Sequence, residues 1–122
     1  MSTAVSLLTY EDLLRTPDDG QRYEIIAGEL IVSPSPGRVH QWFSMNLIRV
    51  LDGYVYHRGL GRVFHAPVDV RLSPHDIVEP DLLFIRQDRL HIYKARGDVQ
   101  GTPDLVVDSS RPPAARPTPA PS

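Results

Sequence analysis

Two short apolar runs, each with a carboxylate at one end, constrain this chain more than any other feature. In Val78-Glu79-Pro80-Asp81-Leu82-Leu83-Phe84-Ile85-Arg86 the acid Asp81 leads the run; in Thr102-Pro103-Asp104-Leu105-Val106-Val107-Asp108 the acid Asp108 follows it. Short apolar runs bounded by turn residues read as buried strands. Side chains alternate along a strand, so Asp81, Leu83 and Ile85 share one face and Leu82 and Phe84 the other. By the same count Asp108 lies with Val106 and Asp104, opposite Leu105 and Val107. If the two strands are neighbours, Asp81 and Asp108 meet at one point. Carboxylates held close repel, and a hard divalent cation with oxygen ligands offsets that repulsion. Such a pair suits metal-assisted hydrolysis, in which the ion activates water and stabilises charge on a phosphate.

The remaining elements follow from local signals. Thr9 before Tyr10-Glu11-Asp12-Leu13-Leu14 predicts an N-cap and a short helix with acids in its first turn. Pro17-Asp18-Asp19-Gly20 is a turn. Arg22 to Ala27, Gly28, and Glu29 to Val32 form a predicted β-hairpin around Ala27-Gly28, ended by Ser33-Pro34-Ser35-Pro36-Gly37. From about Val39 to about His57 the period changes. Val39, Phe43, Leu47, Val50, Leu51 and Tyr54 recur every three or four residues, with Trp42, Ile48 and Val55 widening the stripe, which predicts an amphipathic helix of about five turns. Gly59-Leu60-Gly61 stops it. Strands are expected at Arg62 to Ala66 and Val68 to Leu72, then a turn at Ser73 to Asp76 into the Asp81 strand. A short helix is expected over Gln87 to Tyr93, and a last strand over Asp104 to Asp108. This order gives an α+β class with a mixed or antiparallel sheet.

At 122 residues the chain is one domain at most. No window is apolar and long enough to span a membrane, and Met1 to Leu8 lacks the pattern of a secretory signal. The absence of cysteine removes disulfide frameworks and thiolate metal sites, and fits a cytoplasmic protein. A net charge of −2 provides no overall basic footprint for nucleic acid, so a nuclease here needs a metal or a local basic patch. There is no phosphate-binding glycine loop, Gly-x-Ser-x-Gly elbow or nucleophilic cysteine. His57, His65, His75 and His91 show no metal-ligand spacing. Glu79, next to Pro80, is expected to face away from Asp81 or into solvent.

Several of these segments together resemble the Uma-family restriction endonucleases, which belong to the PD-(D/E)xK nuclease superfamily. The resemblance rests on Arg22-Tyr23-Glu24-Ile25-Ile26-Ala27-Gly28-Glu29-Leu30, on Ser33-Pro34-Ser35-Pro36 with His40, and on Val68-Asp69-Val70. It continues through Glu79-Pro80-Asp81-Leu82 and Pro103-Asp104-Leu105-Val106-Val107-Asp108, covering roughly residues 8 to 108. It implies a restriction-endonuclease-like mixed sheet and a magnesium-dependent phosphodiesterase acting on DNA, with manganese as a substitute. On that likeness Asp81 is the Asp of the PD motif and Asp108 the second acid; both would be metal ligands. Glu24 would be a further metal or water ligand, and His40 would orient a phosphate or water near the start of the long helix. Nucleases that cut both strands often pair, so a homodimer is an expectation.

The likeness breaks after Asp108. Members of the family continue with an Ile/Leu-Ser-Pro-Ser/Thr segment, a helix bearing a lysine, and a closing strand. Here the one lysine is Lys94, which matches no family position. Residues 109–122 instead hold five prolines and no large apolar side chain, a composition expected to be disordered or polyproline-like. Ser109-Ser110-Arg111-Pro112-Pro113-Ala114-Ala115-Arg116-Pro117 reads like a GC-rich Ser-Pro-Ser-Thr-Ala-Arg-Arg segment one nucleotide out of frame, which suggests truncation or a frameshift after Asp108. The expectations are therefore an endonuclease-like domain over residues 1–108, impaired by the lack of the lysine. The alternative is a non-catalytic remnant or binding module using an exposed sheet edge.

Overall fold

The computed structural model of the chain describes residues 6–34 and 38–108, apart from the side chains of residues 38 and 39. The predicted tail, residues 109–122, and part of the Ser33 to Gly37 turn lie outside the described residues. The chain opens with a single-turn helix, α1 (Tyr10–Leu13). Asp12 closes its first turn, its Oδ2 accepting the Thr9 backbone N–H at 2.9 Å. Tyr10 and Leu13 are buried with Ile25 and Ile77 in one small core.

The hairpin forms as predicted, from β1 (Arg22–Ile26) and β2 (Glu29–Ser33), paired in antiparallel register from Arg22 opposite Ser33 to Ile26 opposite Glu29. Both central turn residues have left-handed backbone, Ala27 at φ 51° and Gly28 at φ 79°, the geometry whose twist matches the flanking strands. Gly28 is also pressed against Leu7, whose Cδ2 would lie 2.6 Å from an added Cβ.

The long helix α2 (Arg38–His57) spans 20 residues, about 30 Å. It ends in a Schellman motif: Leu60 N–H donates to Val55 O at 3.0 Å and Gly59 N–H to Tyr56 O at 3.1 Å, with Gly59 at φ 63°. Its apolar stripe is only partly covered. Val55 is buried and Leu47, Ile48 and Leu51 are half-buried. Trp42 and Val50, however, are 70% exposed, and Phe43 and Tyr54 are exposed too. The physical reason is that α2 lies chiefly along β3, so among the described residues only one flank of the stripe is covered.

Beyond α2 run β3 (Gly61–His65), β4 (Asp69–Ser73), β5 (Asp76–Val78), β6 (Leu82–Arg86), a 3-10 helix (Gln87–Ile92), β7 (Asp98–Gln100) and β8 (Leu105–Val107). They form two sheets: a five-stranded one ordered β2-β1-β5-β4-β7, and a three-stranded one ordered β3-β6-β8. Only the β4–β7 pair is parallel, so the class is α+β with mixed pairing. β5 begins at the end of the turn predicted over Ser73 to Asp76, and β7 falls where no element was predicted; at three residues each they are too short to show an alternating pattern. The main core joins Val68, Val70, Leu83, Ile85, Ile92 and Val99, so it fills the space between the two sheets. At ~25 cal/mol per Å² of apolar surface, each of these buried aliphatic side chains contributes about 2 kcal/mol.

Candidate active site

Strand pairing brings the two predicted acids together. β6 and β8 are antiparallel neighbours, with Leu82 opposite Val107, so the residue before β6 and the residue after β8 lie side by side. The Asp81 N–H donates to Val107 O at 2.9 Å, and Asp81 O accepts the Ala66 N–H at 3.0 Å. The Asp81 backbone is thus fixed on both sides, and its side chain is buried.

What meets these carboxylates is Arg22, at the start of β1. Its Nη2 lies 2.5 Å from Asp81 Oδ1 and its Nη1 3.2 Å from Asp108 Oδ1. One guanidinium therefore bridges both acids, and Arg22 is only 5% exposed. Burial pushes its pKa down, but the Asp81 hydrogen bond and the charges of Asp81, Asp108 and Glu24 outweigh this and hold it above the ordinary arginine value. His40, in the first turn of α2, approaches the same oxygen, with Nε2 3.1 Å from Asp81 Oδ1.

Glu24 stands two residues after Arg22 on β1, on the same strand face. It is 1% exposed, and its Oε2 accepts the Glu79 backbone N–H at 2.6 Å. That bond fixes the segment leading into Asp81. Glu79, expected to face away from Asp81 or into solvent, lines the larger cavity, which Asp81 does not, and is not fully solvated. It is half-buried, and burial, with the charges of Asp69 and Glu24 added and Arg22 opposing, raises its pKa to about 7. Asp69, on β4, is raised as well: burial drives it up, the Tyr10 hydroxyl bond at 3.2 Å draws it down, and the charge of Asp98 adds to the rise.

Two cavities flank Arg22. The smaller, about 260 Å³, is lined by His40, Ser44, His65 and Asp81; the larger, about 700 Å³, by Asp69, Glu79, Tyr23 and Pro67. Arg22, Gln41 and Ala66 line both. The site is thus a cleft lined by carboxylates of unequal character: Asp81, paired like Asp108 with Arg22, and Asp69 and Glu79, whose pKa values are raised. Lys94 lies elsewhere, its N–H bonded to Asp98 O beside β7. Sequence reasoning missed Arg22, Asp69 and Glu79 as site residues. Alternation alone, from Glu24 back to Arg22, would have found one of them.

A hard cation suits the donor set in kind, since Asp81 and Asp108 offer carboxylate oxygens and already converge on one positive group. Magnesium commonly binds one or two carboxylates and keeps waters in its other positions. Among the described residues no three His, Asp or Glu side chains gather as ligands, so any ion here would rest on the pair and on water.

Comparisons with known proteins bear on the fold and the family. A search of curated proteins gave no match. The crystal structure of a protein described as "a putative nuclease belonging to DUF820 from Anabaena variabilis ATCC 29413" shares the fold, with a TM-score of 0.65 and 20% sequence identity. The match covers 83% of this chain and 57% of that protein, so the chain spans little more than half of its relative's length. Residues 10–110 match the family Uma2, described as "Putative restriction endonuclease". A match over that much of the sequence places the chain in the Uma2 family of restriction-endonuclease-type proteins.

Proposed function

We propose that the cleft around Asp81 and Asp108 is the site of a divalent-metal-dependent DNA endonuclease of the PD-(D/E)xK type, with Mg²⁺ as its cofactor and Mn²⁺ as a substitute. The observation that carries this reading is the convergence of both acids on one cationic group, in a member of a family described as "Putative restriction endonuclease". When bound, the ion would supply a water of lowered pKa and charge stabilisation for the phosphate. Asp81 and Asp108 would hold it. Glu24 acts by fixing the Glu79 backbone and thereby the approach to Asp81. His40, beside Asp81 in the smaller cavity, would orient a phosphate or water. Glu79, titrating near neutrality, can give up a proton within the cleft.

No lysine lies among the described residues of the cleft, so one source of transition-state charge stabilisation is lacking and cleavage should be slow. The test is plasmid nicking over hours in Mg²⁺ or Mn²⁺ with purified chain. Slow, metal-dependent nicking that Asp81→Asn abolishes supports the reading; nicking that survives in Asp81→Asn, or a folded chain that neither binds metal nor nicks, contradicts it.

One observation favours a second reading, a binding module that pairs with a copy of itself. Trp42, Phe43, Met45, Val50 and Tyr54 expose an apolar face on α2, and Leu105 and Val106 are exposed on β8, the outer strand of its sheet among the described residues. Sedimentation velocity separates the two. A concentration-dependent dimer with no response to metal favours the module.

A further inference from the structure

We infer that Arg22 is a resident counter-cation, holding Asp81 and Asp108 together in the metal-free chain and competing with a divalent ion for them. The inference rests on the metal reading above and goes beyond it, because it assigns a role to a residue that is not itself a ligand. Three observations carry it. Arg22 comes from the five-stranded sheet, while Asp81 and Asp108 flank strands of the three-stranded one, so the bridge joins the two sheets. Its nitrogens are divided between two carboxylates, Nη2 on Asp81 and Nη1 on Asp108. A guanidinium that only anchored one acid would face it with both nitrogens in a fork. Finally, the group is buried and cannot lose its charge.

Charge counting then gives the consequence. Arg22, Asp81, Asp108 and the buried Glu24 two residues along β1 together carry two net negative charges, where the three acids alone would carry three. A divalent ion added beside Arg22 only brings the cluster to neutrality, whereas without Arg22 the three acids would meet the ion with one negative charge in excess. Arg22 therefore lowers metal affinity and keeps the acids from repelling each other when no metal is bound. Metal binding should draw at least one carboxylate away from the guanidinium.

Arg22→Gln and Arg22→Lys, measured by Mn²⁺ calorimetry and by melting in EDTA, test this. Arg22→Gln should melt lower than wild type in EDTA, gain more from Mn²⁺, and bind Mn²⁺ at least about tenfold tighter, the scale of one unit charge at contact distance. Arg22→Lys keeps the charge and should bind close to wild type. Asp81→Asn in the Arg22→Gln background should abolish the binding. A second measurement uses the wild-type chain. Arg22 should resist phenylglyoxal in EDTA and react when Mn²⁺ is present, read by peptide mass spectrometry. If wild type binds Mn²⁺ through Asp81 but Arg22→Gln binds no tighter, or Arg22 stays unreactive in the loaded protein, the counter-cation role is wrong and the metal site stands. If neither protein binds Mn²⁺ at millimolar concentration, the metal reading falls and this inference with it. If Arg22→Gln does not fold in EDTA, recovery of its far-UV circular dichroism by Mn²⁺ supports the inference; without recovery, the phenylglyoxal result decides.

Discussion

Replacing Glu79 with Gln should remove a pH dependence of stability that the cleft imposes. In the folded chain burial and the charges of Asp69 and Glu24 raise this carboxyl from 4.5 to about 7. The native state then binds the proton more tightly than the unfolded chain. The resulting stabilisation is fully present below pH 4.5, declines as pH rises through about 7, and is lost above that. At 1.36 kcal/mol per unit the shift corresponds to about 3 kcal/mol. Glu79 is only half-buried and lines an open cleft, so screening by water reduces this to about 1–2 kcal/mol. The assay is urea unfolding at pH 5, 6, 7 and 8 in EDTA, followed by far-UV circular dichroism. The single tryptophan, Trp42, is 70% exposed and makes a poor fluorescent reporter of unfolding. Wild type should lose about 1–2 kcal/mol more than Glu79→Gln between pH 5 and pH 8, and Glu79→Gln should be the more stable protein at pH 8. Equal losses in the two proteins would refute the assignment of Glu79 as a carboxyl held partly protonated by its surroundings.

Other substitutions separate structural from site residues. Asp98 is 1% exposed and held by Arg71, Arg96 and Gln100 at 3.1–3.4 Å, outside the candidate site. Asp98→Ala should cost about 2 kcal/mol in urea unfolding at pH 7 and leave Mn²⁺ binding unchanged. Ile85→Ala empties a position in the core between the sheets and should cost about 3–4 kcal/mol by the same assay. Gly28→Ala forces left-handed backbone on a residue with a Cβ pressed against Leu7 and should cost about 1–2 kcal/mol, seen as a lower melting temperature.

What could be read from the sequence was local. Ala27-Gly28 set the hairpin turn, and the three-to-four spacing from Val39 to Tyr54 gave α2 to within a residue at its start. The Asp81 and Asp108 runs gave β6 and β8, and their pairing placed the two acids together. What could not be read was what covers each element. The stripe of α2 was correctly periodic, yet periodicity does not say which flank meets β3. The bridge formed by Arg22 joins three segments distant in sequence, and no local signal encodes it. Glu79, expected to face away from Asp81 or into solvent, is half-buried and lines the larger cavity, which Asp81 does not, and no local signal told of the burial that raises its pKa. β5 and β7 are too short to have a period at all.

The claim that Asp81 and Asp108 form a divalent-metal site is tested most directly by locating the ion. A two-dimensional amide NMR spectrum of the ¹⁵N-labelled chain, titrated with substoichiometric Mn²⁺, does this, because paramagnetic broadening falls steeply with distance. The account predicts that broadening centres on Arg22, His40, Asp81, Leu82 and Val107, and that Asp81→Asn removes it. Broadening centred instead on Asp69 and Asp98, or unchanged in Asp81→Asn, would contradict it.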